Sequence, residues 1–215
     1  MDTPIELKPY RTVRADSETE YVINRSRFIG HCFAVTEEAQ ALAILERIKK
    51  QHWDATHNCF AYRLKSGAAR YSDDGEPQGT AGLPMMEVLK KRDLYDLLVI
   101  STRYFGGILL GAGGLVRAYT RSTSDAVDAA GLMDMLPCTG FRLRVEYPYW
   151  NGVQSVFERF GALDHADYSD AIDCVFRCRS DRADAFLKAL TERTEGRVQA
   201  HPFEEGYFGF EVSAE

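Results

Sequence analysis

The sequence predicts an α+β protein of two domains, residues 1–136 and 137–215, the second with a ferredoxin-like β-α-β-β-α-β order. Three observations carry this reading. Apolar positions alternate between strand and helix periodicity along the chain. A long helical pattern closes at Gly131, and the pattern restarts around Met133–Thr139. Residues 137–215 then run strand, helix, two strands about a turn, helix, and a final strand or hairpin.

In the first domain, YRTVRAD and TEYVINR are strands on either side of a turn at Asp16–Ser17, and FIGHCFAV (28–35) is a third. Thr36 is placed to cap the amphipathic helix EEAQALAILERIKKQH, which has acids in its first turn. HNCFAYRL (57–64) is a short strand. From Arg70 the chain turns to Asp, Gly and Pro, which reads as a long loop through Gly79, with Thr80 capping a helix to about Lys91. YDLLVISTRYF (95–105) is nearly continuous apolar, a central strand buried on both faces. Five glycines follow between Gly106 and Gly114, and a helix runs from Gly113 to about Ala130 with Leu115, Ala118, Tyr119, Ala126 and Val127 inward. In the second domain TGFRLRVEYP is a strand, WNGVQSVFERFG a helix, and ALDHADYSD and AIDCVFRCRS a strand pair. SDRADAFLKALTERT is a helix with Ser180 as its cap.

Composition excludes several classes. Apolar runs such as Leu97–Ile100 are far too short to span a bilayer, and the N-terminus has no basic start followed by an apolar stretch. Five cysteines at irregular spacing, with no CxxC pair, read as reduced, mostly buried thiols of a cytoplasmic protein. Net charge is −6; Lys and Arg number 17 against 18 acids in residues 1–136, and 9 against 14 in 137–215. Bulk charge therefore does not mark a nucleic-acid-coating protein, and a polyanion contact is expected only from a local patch in the first domain.

Two segments point to chemistry: SDDGEPQGTAG (72–82) and RYFGGILLGAGGLVRAY (103–119). Glycine loses more backbone freedom on ordering than any other residue, so five in one strand-to-helix turn imply that something approaches the backbone closely. Unpaired N–H groups of Gly106, Gly107, Gly111, Gly113 and Gly114 at a helix start suit an anion, with Arg117 and Arg121 four residues apart on that helix. Arg103, near the end of a buried strand, needs a cleft or a carboxylate, and Asp73, Asp74 and Glu76 are the nearest candidates in kind. A nucleotide loop is not signalled: GxxxxGK[ST] and GxGxxG are both absent. His52 and His57 lack an HxxxH or HExxH pairing, so no metal ligand set and no cofactor is assigned. No GxSxG elbow exists, and no catalytic residue is assigned either. Trp150 with Tyr147 and Tyr149 reads as packing rather than base stacking.

RSRFIG (25–30), HNCFAYR (57–63), YSDDGEPQGTAGLPM (71–85) and VISTRYFGGILLGAGGLVRAY (99–119) resemble the YigZ/IMPACT family in order and spacing. The resemblance implies a first domain folded like the second domain of ribosomal small-subunit protein five and domain IV of elongation factor G. It implies a second domain similar to domain V of that factor. Bacterial members have no established biochemical activity. Eukaryotic relatives act in translational control, binding a large activator protein and so restraining an initiation-factor kinase, with an additional N-terminal domain outside these residues.

Three readings follow. The first is a non-enzymatic protein contacting RNA, the ribosome or a translation-related partner, with Arg103, Arg117, Arg121 and the glycine backbone at the contact and residues 73–76 at its rim. The second is an enzyme for a small phosphorylated or acidic ligand between the two segments, which expects Asp73, Asp74, Thr80 and Arg103 to line one pocket. The third is a protein-binding adaptor, which expects an exposed apolar patch.

Overall fold

The computed structural model describes residues 7–211. Two compact units are built on Tyr10–Asp134 and on Met135–Phe210. The first contains β1 (Tyr10–Val13), β2 (Ser17–Ile23), β3 (Ser26–Ala34), α1 (Glu38–Gln51), β4 (His57–Arg63) and β5 (Ala69–Ser72). It continues through α2 (Gly82–Lys91), β6 (Leu97–Tyr104) and α3 (Gly111–Ala130). β7 (Leu132–Val145) begins in this unit and carries the chain into the second.

Five strands form an antiparallel sheet in the order β2-β3-β6-β4-β5. Antiparallel sheets commonly leave one face wet, but this one is covered on both. Leu97 and Val99 of β6 join Phe28, Cys32, Cys59 and Ala61 in a core closed by Met85 and Leu89 of α2 and Tyr119 and Ala126 of α3. Leu98 and Ile100 point the other way, into a second core with Phe33, Phe60, Tyr62 and the Ala41, Leu45 and Ile48 stripe of α1. The unbroken apolar run of β6 follows from its central place, and each such side chain contributes about 1.5–3 kcal/mol.

The second unit contains most of β7, then α4 (Tyr147–Phe160), β8 (Gly161–Tyr168), β9 (Ile172–Arg179), a 3-10 turn (Ser180–Arg182), α5 (Ala183–Thr194) and β10 (Ala200–Glu211). β7 pairs β9 and β10, and β9 pairs β8, giving the order β10-β7-β9-β8 of a ferredoxin-like sheet. Alternate residues of β9, Ile172, Cys174, Phe176 and Cys178, face a core with Trp150, Phe157, Phe186 and Leu190. All five cysteines are free and buried. Among the described residues no helix is long and apolar enough to cross a membrane.

The structure corrects several local expectations. Ala69–Ser72 is an edge strand, not the start of a loop; it is short and its first three residues are exposed, so no burial pattern advertises it. The two strands that flank the turn before Ser17 join different partners: β1 pairs β7, and β2 pairs β3. None of the three expected caps forms. α1 starts after Glu37, and the Gln40 side chain reaches back to the Thr36 N–H at 3.0 Å. Thr80 donates to the Pro77 carbonyl at 2.6 Å, and Ser180 hydrogen-bonds Thr139 at 3.0 Å. α3 begins at Gly111 rather than Gly113; the last segment is a single strand, the first of the two forms expected.

Candidate functional site

The 72–82 loop is organised by its own carboxylates. Asp73 accepts hydrogen bonds from the backbone N–H groups of Gly79 (2.8 Å), Ala81 (3.0 Å) and Gly82 (2.8 Å). It thus satisfies donors at the start of α2, which has no side-chain cap at its own N-cap residue, Ala81. Asp74 accepts the Asn58 N–H at 2.7 Å and pairs with Lys49 at 2.9 Å. Asp73, Asp74 and Thr80 therefore shape the loop, and the loop delivers Glu76 inward.

Glu76 and Arg103 are 7% and 5% exposed, and Arg103 Nη1 lies 2.6 Å from Glu76 Oε1. Isolated charges this deep cost several kcal/mol each, so each requires further partners. Tyr119 donates its hydroxyl to Glu76 Oε1 at 2.7 Å. Burial, reinforced by Cys59 and Glu76, raises the Tyr119 phenol far above its ordinary value and keeps it a donor. Arg103 Nη2 donates to Ser26 Oγ at 3.3 Å, and its guanidinium lies 5.5 Å from the Phe28 ring and 5.4 Å from Phe105. His57 Nδ1 is 2.8 Å from the Asp74 carbonyl, which only accepts, so the ring proton belongs on Nδ1. Nε2 then lies 3.7 Å from Glu76 Oε2.

The glycines have mostly internal reasons. A Cβ on Gly106 would stand 2.0 Å from the Arg25 carbonyl carbon, so the β2–β3 turn presses directly on it. Gly107 and Gly111 hold φ of +81° and +68°, where side chains are disfavoured. Gly113 and Gly114 open the first turn of α3, whose N-cap Leu110 supplies no side-chain bond.

The sequence-derived arginines are not gathered together. Arg103 is inside, whereas Arg117 and Arg121 are on the exposed side of α3. Arg121 lies 3.2 Å from Asp125 and over the Tyr21 ring at 4.6 Å; Arg117 makes no ion pair among the described residues.

Between the loop and the glycine turn lies a cavity of about 350 Å³. Its polar floor is His57, Glu76 and Arg103; its walls are Pro77, Phe105, Leu109, Leu110 and Leu115. Of the four residues expected to converge there, only Arg103 does; Asp73, Asp74 and Thr80 do not line it. Of its lining residues Phe105 and Leu109 are 44% and 84% exposed, and Ile108, next to Leu109 in the chain, is 42% exposed. Sequence reasoning missed His57, Ser26 and Tyr119 as parts of this network. Tyr119 carried a signal: a tyrosine on a buried helix stripe must find a partner for its hydroxyl.

These features define a two-domain α+β protein whose first unit joins a glycine-rich turn to a buried arginine–carboxylate pair. The Impact N-terminal domain family matches residues 24–127, and a domain of unknown function (DUF1949) matches residues 143–197. The IMPACT family member YvyE of Bacillus subtilis is 40% identical over 194 residues, covering 89% of each chain. The member YigZ of Escherichia coli is 31% identical over 188 residues, 85% of this chain and 92% of the relative. Protein IMPACT of Xenopus laevis is 36% identical over 94 residues, 40% of this chain and 30% of that one. A crystal structure titled as that of a hypothetical protein covers 92% of this chain and 98% of its own, with TM-score 0.59 and 28% identity. The chain belongs to the IMPACT family.

Proposed function

We propose that the first unit is a non-enzymatic binding module of the cytoplasm, and that its glycine-turn face takes a protein of the translation apparatus. One observation carries this: Phe105 and Leu109, 44% and 84% exposed, line a cavity with apolar walls, and Ile108, beside Leu109 in the chain, is 42% exposed. Scattered exposed apolar residues are ordinary, but exposed apolar side chains lining a hollow suit a partner's apolar side chain. Arg117 at the edge suits an acidic neighbour on that partner. A phosphate-led contact has less to draw on, because Arg103 is bound to Glu76 and Arg121 to Asp125. The test is affinity capture from native lysate at low salt, comparing the chain with Leu109→Asp, before and after nuclease. A ribosomal protein or translation factor that survives nuclease and is lost with Leu109→Asp supports the reading. Capture that is wholly nuclease-sensitive, or unchanged by Leu109→Asp, sinks it.

A second reading is favoured by the cavity floor: a small acidic or phosphorylated ligand beside Arg103, with His57 Nε2 as the base. It requires turnover or binding that is lost in His57→Gln while the fold stays intact.

A further inference from the structure

The second unit carries a cavity of about 390 Å³ where the start of β8, the end of β9 and the last residues of β10 converge beside the C-terminus of α4. Arg159, Arg177, Arg179 and Arg182 all line it, with Asp164 the one carboxylate among the lining residues. Residues 137–215 hold only 9 Lys and Arg against 14 acids, so four of the nine cations of an acidic domain face one hollow. The expectation confined a polyanion contact to the first domain; this cluster offers a candidate patch in the second.

Internal pairing accounts for part of the cluster. Arg177 Nε bonds Asp164, and its guanidinium lies 4.0 Å from the Phe208 ring centre. Arg177 Nη1 is 3.1 Å from Glu204 Oε2, yet it is buried and out of alignment for a hydrogen bond. Arg179 pairs with Asp181 at 2.5 Å. Arg159 and Arg182 make no ion pair among the described residues. Arg159 is in the last turn of α4 and answers that helix's negative end; Arg182 closes the 3-10 turn but is also the N-cap residue of α5, a positive helix end that gives a cation no support. Two guanidinium groups without carboxylates, in a concave site, focus positive potential. Guanidinium forks match phosphate oxygens in pairs. Phe210, 43% exposed, and Phe208 supply ring faces alongside. Cys138 and Cys178 also line the hollow, and burial raises both thiols, Cys178 to about 11, so neither adds negative charge.

We infer that this hollow binds a phosphate group carried next to an aromatic base, that is, a nucleotide, either free or at the end of an RNA chain. The phosphate meets Arg159 and Arg182, and the base lies against Phe208 and Phe210.

The test is calorimetric titration of the full chain with AMP, UMP, adenosine, inorganic phosphate, and a short oligoribonucleotide with and without a 5′-phosphate. AMP or UMP, or the phosphorylated oligomer, is expected to bind, with affinity falling as salt rises. R159A/R182A, both exposed, is expected to weaken that binding at least about tenfold while its thermal melt stays unchanged. K50A, an exposed residue of the other unit, leaves it unaltered. Tighter binding of free nucleotide assigns that source; tighter binding of the phosphorylated oligomer assigns an RNA end. The proposal is overturned if neither binds at millimolar concentration and low salt, or if adenosine or inorganic phosphate binds as well as AMP. Retention of full affinity in R159A/R182A overturns it too.

Discussion

Arg103 Nη1 approaches Glu76 Oε1 to 2.6 Å with both side chains almost closed to solvent, tying the central strand β6 to the 72–82 loop. Tyr119 from α3 bonds the same carboxylate oxygen, so strand, loop and helix meet at one atom. Removing one member strands a buried charge. Arg103→Met or Glu76→Leu alone is expected to cost about 3–5 kcal/mol in urea unfolding, and the double variant distinctly less than the sum. Additive single costs would mean that the pair is not coupled.

Asp73 acts as the cap that α2 lacks. Asp73→Ala is expected to destabilise by roughly 1–3 kcal/mol and to speed amide exchange at Gly79, Ala81 and Gly82 first. Asp73→Asn, which keeps one acceptor, falls between. Uniform exchange across the unit would contradict this local role.

The glycines of the turn should separate sharply on substitution. Gly106→Ala drives a methyl against the Arg25 backbone and is expected to leave little folded protein. At Gly113 the nearest atom to a new Cβ is the end of the Arg117 side chain, 3.6 Å away. Gly113→Ala is expected to be neutral or to stabilise by up to about 1 kcal/mol, read as a rise in Tm. Equal losses at both positions would refute this division.

His31 is 2% exposed, and burial lowers it from 6.5 to about 4 despite Glu18 nearby. The unfolded chain binds the proton more readily, so this contribution to stability is intact above pH 6.5 and is lost as pH falls toward 4. The loss by pH 4 is on the order of 3 kcal/mol. Stability curves of the chain and of His31→Phe should converge in slope above pH 6.5 and diverge below it. A variant with the same acid slope as the parent would exclude His31 as the cause.

The sequence was most legible where one periodicity dominated. β6 announced burial on both faces because every residue from Leu97 to Ile100 is apolar, and α3 showed its inward stripe. β5 was hidden because an exposed four-residue edge has no pattern to display. The caps were misread because Ser and Thr at plausible positions were bonded elsewhere, while the carboxylate that caps α2 comes from eight residues before its N-cap residue, Ala81. At the site, the sequence offered Glu76 as a partner for Arg103 alongside Asp73 and Asp74 without choosing among them. The choice depends on the loop's left-handed turns at Asp74 and Gly75, with φ of +44° and +90°, which are set by tertiary contacts. The arginine hollow of the second unit was invisible because its members come from a helix end, one strand and a 3-10 turn, and the domain's charge is acidic.

The most direct measurement of the central proposal places a photo-crosslinking residue at Leu109, the most exposed apolar side chain of the turn at 84%. Irradiation in cells should join it to one protein of the translation apparatus, with the adduct resistant to nuclease and absent when the same residue replaces Trp53, exposed on another part of the unit. Adducts only to RNA, or the same adducts from both positions, would contradict the account.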